Sequence, residues 1–113
     1  MIIVNELGNE IYLFNSIEEV ESKLEAIDIE NNEYEACDDD GFIYKFKLIE
    51  PPGALKSGKF KIVRTNEKDI DLPKSYFFNY GKKFSKTNED LELIYKKSTC
   101  ASDAINKLKS KKY

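Results

Sequence analysis

The chain has 113 residues, of which 41% are hydrophobic and 35% charged, with a formal net charge of −3 and no histidine. That length suits one domain able to bury a core without staples, and no apolar run approaches the roughly 18 residues that cross a bilayer. The lack of histidine removes the commonest general base and the Ser-His and Cys-His nucleophile pairs.

Met1–Glu6 reads as a strand, Leu7-Gly8-Asn9 as a turn and Glu10–Phe14 as a second strand, together a hairpin. Ser16 with Glu19 forms a capping box, so a helix is expected from there to about Ala26, burying Ile17, Val20, Leu24 and Ile27. Glu30-Asn31-Asn32 is turn chemistry, and Glu33–Cys37 follows as a strand. Asp40-Gly41 signals a hairpin into a strand over Phe42–Ile49. There Phe42, Tyr44, Phe46 and Leu48 share one face, while Ile43, Lys45, Lys47 and Ile49 share a mixed one.

Pro51-Pro52-Gly53 stops that strand, and Lys59–Thr65 begins another with Phe60 and Ile62 inward. Ser75–Tyr80 is an aromatic cluster that reads as core plugging or a short strand. Thr87 with Asp90 starts a helix carrying Leu91, Ile94 and Tyr95. Ser102 is placed to cap a last helix that buries Ala104, Ile105 and Leu108 and ends among lysines suited to the helix dipole. The expected fold is α+β: residues 1–113 form a single domain, a mainly antiparallel sheet with an early helix and two C-terminal helices packed on one side of it.

Two motifs fail on inspection. Gly53–Lys59 matches the first seven positions of a phosphate-binding loop, but Phe60 replaces the magnesium-ligating hydroxyl and the segment feeds a strand. Asp38, Asp39 and Asp40 lack the spread of ligands and distal glutamate of a calcium loop. Cys37 and Cys100, without histidine, cannot build the usual zinc site, and in a reducing compartment they stay thiols. No catalytic residue, cofactor or metal is therefore assigned.

Charge is divided along the chain. Residues 1–50 hold 14 acidic side chains against three lysines, whereas residues 51–113 hold 15 basic against seven acidic. The halves either neutralise each other within the domain or leave a polarised surface that attracts a basic partner. The acidic set Glu18, Glu21, Glu25, Glu30, Glu33, Glu35, Asp38, Asp39 and Asp40, with Tyr34 as an aromatic anchor, is the candidate contact surface. The competing reading is a regulatory nucleic-acid-binding module using Lys82, Lys83 and the lysine-rich tail near Phe84 and Tyr113. A single arginine, Arg64, weighs against base-specific readout.

The order of elements from Leu13-Phe14-Asn15-Ser16-Ile17-Glu18-Glu19 through Leu24-Glu25-Ala26-Ile27-Asp28 to Asn32-Glu33-Tyr34 and Asp40-Gly41 resembles small bacterial immunity proteins of polymorphic toxin and contact-dependent growth inhibition systems. The likeness covers about a third of the chain, with Val20 where that pattern has a small residue and Asn32 where it has glycine. It implies a cytoplasmic antitoxin that binds and blocks the toxin domain of its own strain and leaves that toxin's chemistry open; the acidic surface points to a nuclease, whose basic active cleft it would cover. The likeness implies neither a membrane nor a nucleic-acid partner.

Overall fold

The structure, a computed structural model, describes residues 1–7, 10–53 and 56–110. Gly8-Asn9 of the expected turn, Ala54-Leu55 of the loop before Lys59, and Lys111, Lys112 and Tyr113 of the tail lie outside the described residues.

Five strands, β1 (Ile2–Glu6), β2 (Glu10–Phe14), β3 (Tyr34–Asp38), β4 (Phe42–Glu50) and β5 (Lys59–Lys68), form one antiparallel sheet. Their order is β2-β1-β3-β4-β5. Successive side chains on a strand point to opposite faces, and both faces of β1 are buried. Ile2 and Val4 join Phe14, Ala36, Phe60 and Ile62 on one face, whereas Ile3 joins Ile11 and Cys37 on the other.

Each face has its own helical cover. α1 (Ile17–Lys23) and α2 (Ala26–Glu30) bring Val20, Ala26 and Ile29 onto the first. α3 (Leu72–Gly81), α4 (Asn88–Lys96) and α5 (Ala101–Ser110) bring Phe77, Leu91, Ile105 and Leu108 onto the second. The α+β architecture is as expected, but the helices lie on both sides of the sheet rather than one. The reason is that β1–β3 carry apolar residues at odd and even positions alike, leaving neither face fit for water.

Ser16 Oγ accepts from Glu19 N at 3.1 Å, so Ser16 is the N-cap of α1, but the reciprocal Glu19 bond of the expected capping box is not made. The helix does not run on to Ala26. Leu24 turns extended at φ −91°, ψ 158°, and Glu25 then leads into α2. The break rotates the next turn, so Ile29 is buried and Ile27, expected inside, is 48% exposed. Asn32 follows at φ 55°, a left-handed conformation that asparagine tolerates.

The aromatic segment is buried, but as helix α3 rather than a strand. Pro73 sits in its first turn, and Tyr76, Phe77 and Tyr80 fall on one side at helical spacing. Gly81 lets α4 come close: a Cβ there would lie 2.3 Å from Leu91 Cδ2. Thr87 caps α4, its Oγ1 accepting from Asp90 N at 3.1 Å. α5 begins at Ala101, so Ser102 lies inside its first turn and is not the cap.

Candidate functional site

The acidic candidates fall into four groups. Glu18, Glu25 and Glu30 are exposed on α1, the junction and α2, forming with the half-exposed Ile27 the outer side of that layer. Among the described residues no ion pair engages any of the three. A cleft of about 550 Å³ opens beside them, between Leu24–Ile27 and the Pro52–Phe60 segment.

Glu33 lies at the end of this layer beside Asp28. Its carboxyl is held above the usual carboxylate range, first because it hydrogen-bonds the Asp28 carboxyl and then through partial desolvation. Two tyrosines close the cluster. Tyr12 OH donates to Glu6 Oε2 at 2.6 Å, and Tyr34 OH donates to Asp28 Oδ2 at 3.4 Å. The Tyr12 hydroxyl is pushed up to about 12, chiefly by its bond to the Glu6 carboxylate. Burial, followed by the Asp28 charge, likewise raises Tyr34. The Tyr34 ring packs on Phe46, 6.1 Å between centroids, so it is half-buried under α2 instead of projecting as an anchor.

Glu21, Asp38 and Asp39 serve the fold. Glu21 Oε2 accepts the N–H of Ile62 at 3.0 Å, covering part of the outer edge of β5. Asp38 Oδ1 accepts from Asp40 N and Phe42 N, and its Oδ2 accepts from Tyr44 OH at 3.1 Å, which shapes the β3–β4 turn. Asp39 bonds both the backbone N–H and the hydroxyl of Ser102. Asp40 is exposed at the hairpin tip, where Gly41 takes φ 91°. Glu35 stands alone on the opposite face of β3, 3.5 Å from Tyr76 OH.

The basic half divides in the same way. Lys74, Lys107 and Lys109 pair with Glu92, Asp103 and Glu10 respectively, and Lys83 lies over Tyr80. Lys82 is exposed on the short 3₁₀ turn Lys82–Phe84. Lys59 and Lys61, together with Lys45 and Lys47 of the acidic half, are different. They are exposed on the face of β4–β5 that α3–α5 leave uncovered, and among the described residues none has an ion-pair partner. The sequence already carried this patch as two period-two segments, but only their antiparallel register, Lys45↔Val63 and Lys47↔Lys61, unites them.

Thus Glu18, Glu25 and Glu30 lie over the first face of the sheet and Lys45, Lys47 and Lys61 on the second, while Lys59 also borders the cleft beside Glu25. Among the described residues no group of three or more Cys, Asp or Glu is placed to hold a metal ion. Cys37 and Cys100 are both free thiols. No helix among the described residues is long and apolar enough to cross a membrane. Comparison with protein-family models, with curated proteins and with solved structures finds no match for this chain.

Proposed function

We propose that the protein is an immunity protein: a cytoplasmic antitoxin that binds the toxin domain of its own strain, a nuclease, and covers its active cleft. The observation that carries this reading is the α1–α2 layer, where Glu18, Glu25 and Glu30 are exposed with Ile27 and, among the described residues, none of the three carboxylates is ion-paired. An apolar centre ringed by charge is the composition of a docking patch. Nuclease clefts are basic because they hold phosphates, so a carboxylate layer fits them, speeds encounter and excludes substrate.

The crowding of Glu33 against Asp28 supports the same direction of partner charge. The Asp28 carboxyl beside it raises Glu33, and a lysine or arginine placed against the pair would offset that crowding. The resemblance to immunity proteins adds a local detail, since glycine in their pattern corresponds to Asn32, which holds a left-handed φ here.

The experiment is capture of tagged protein from its native cells at low and moderate salt, followed by assay of what co-purifies. The expected partner is a near-stoichiometric C-terminal fragment of a large secreted or surface protein, whose nuclease activity one equivalent of this chain abolishes. The triple variant Glu18→Lys, Glu25→Lys, Glu30→Lys is expected to lose that fragment while remaining folded. Undiminished inhibition by the triple variant overturns the placement, and a partner without toxin activity overturns the function.

A further inference from the structure

The ladder between β3 and β4 is short. Only Ala36↔Tyr44 and Cys37↔Ile43 are paired, although both strands continue. Past Tyr44 they splay around a cleft of about 470 Å³, lined by Tyr34 and Glu35 on one side and Lys45 and Phe46 on the other. The direction of the β4 backbone at this point follows from β5. Ile62 gives its N–H to Glu21, away from β4, so Phe46↔Ile62 is a pair that exchanges no ladder bonds. The N–H and C=O of Phe46 therefore point away from β5, toward the cleft, and two residues on those of Leu48 do the same. No paired strand residue stands opposite either of them among the described residues.

Beside this open edge lies the uncovered lysine face. Lys47 and Lys61 are directly opposite each other across β4–β5, an arrangement that costs stability when no anion lies between them. Ile49, 57% exposed, and the half-buried Ile43 and Val63 are interleaved with the lysines. Among the described residues, the face has no exposed aromatic ring on which a base could stack, because Tyr44 and Phe46 point to the other side of the sheet. Mixed aliphatic and ammonium groups beside a strand edge suit a strand that carries both carboxylates and aliphatic side chains.

From these two features we infer that β4 accepts an extended acidic segment of a partner protein, which adds as a strand along Phe46–Leu48 and sets carboxylates beside Lys47 and Lys61. Main-chain bonds hold the segment and alternate side chains specify it. Glu35 and Asp69 line the Tyr44 end of the cleft, so the segment's carboxylates sit toward Glu50 and an aliphatic residue occupies the other end. Its lysine face lies across the sheet from the α1–α2 layer, although Ile29 and Asn32 border the cleft at the edge; it takes a partner of opposite charge and does not depend on the immunity reading.

The probe is a capped peptide of about six residues alternating glutamate and valine, titrated into the intact isotope-labelled protein. Amide exchange at Phe46 and Leu48 is expected to slow on saturation. A peptide of the same composition with its glutamates in one block, and one alternating lysine and valine, are expected to give no such protection. Lys47→Glu places a carboxylate opposite Lys61, so it is expected to leave the fold as stable or more so while weakening the peptide about tenfold or more. Slow exchange of both amides in the free protein overturns the inference, because the edge is then already satisfied. Equal protection by the control peptides also overturns it. Displacement of the peptide by an oligothymidylate of similar length, with shifts confined to the lysines, overturns it in favour of phosphate binding.

Discussion

Asp39 holds Ser102 by two bonds across 63 residues of sequence: its Oδ1 accepts the Ser102 N–H at 2.8 Å and its Oδ2 accepts the Ser102 hydroxyl at 2.7 Å. The carboxylate thus caps the first turn of α5 from the β3–β4 hairpin, a service no residue next to α5 provides in this way. Asp39→Ala is expected to lower unfolding free energy by about 1–3 kcal/mol, since it strands a helix-end amide and leaves the Ser102 hydroxyl only the Cys100 thiol as partner. Asp39→Asn keeps one acceptor and is expected to fall between the two. Chemical denaturation of the three proteins checks the order. A charge reversal at Asp39 therefore damages the fold before it reports on any partner.

Glu21 separates from its acidic neighbours by the same logic. Glu21→Ala removes the acceptor of the Ile62 amide and is expected to cost about 0.5–1.5 kcal/mol, and it uncovers part of an edge strand. Glu21→Gln retains a carbonyl oxygen and is expected to behave nearly as the parent. The Glu18, Glu25 and Glu30 reversal, which touches no intramolecular partner, is expected to leave the melting temperature almost unchanged. Thermal melts, with light scattering to follow association of the Glu21→Ala edge, distinguish these outcomes.

Alkaline pH acts on the tyrosines. The hydroxyl of Tyr12 is raised from 10 to about 12, and burial raises those of Tyr34, Tyr76 and Tyr80. The unfolded chain loses these protons near pH 10, before the folded one does, so between those values it binds fewer protons and stability falls as pH rises. The contribution is complete below pH 10 and lost progressively toward pH 12. Denaturation midpoints measured from pH 8 to 12 are expected to decline only past about pH 9–10, and Tyr12→Phe is expected to soften the decline.

The two thiols differ in access. Cys37 is fully buried, and burial pushes its thiol up to about 12, whereas Cys100 is only half-buried beside the Ser102 hydroxyl. A thiol reagent at neutral pH is expected to modify Cys100 in the native protein and Cys37 only after denaturant is added. Mass spectrometry of the labelled peptides checks this.

The sequence reading succeeded where a signal was local. The Ser16 and Thr87 caps, the Asp40-Gly41 hairpin and the alternation in β4 each rest on residues within a few positions of one another. It failed where distant elements decided the outcome. Ile17, Val20, Leu24 and Ile27 keep a helical period straight through the break at Leu24, because the period does not register a helix that ends and restarts at a new rotation. The aromatics of α3 carry strand propensity, yet their spacing puts Tyr76, Phe77 and Tyr80 on one helical side once α5 is there to receive them. Among the acidic residues, composition could not tell Glu18 from Glu21. What separates them is a backbone amide 41 residues away from Glu21.

The division of the core between two helical layers also has a consequence during synthesis. When the ribosome has completed β5, α1 and α2 can already cover the Val4 face, but the other face of β1–β3 still shows Ile3, Ile11 and Cys37 to solvent. Its cover comes from α3–α5, the last described elements to be made, with Phe77, Ile105 and Leu108 supplying the contact. A nascent chain paused before α5 is thus a half-roofed sheet with an adhesive surface, the kind of species that chaperones shield. A stop codon placed anywhere ahead of Ala101 is expected to yield insoluble material instead of a shorter working domain.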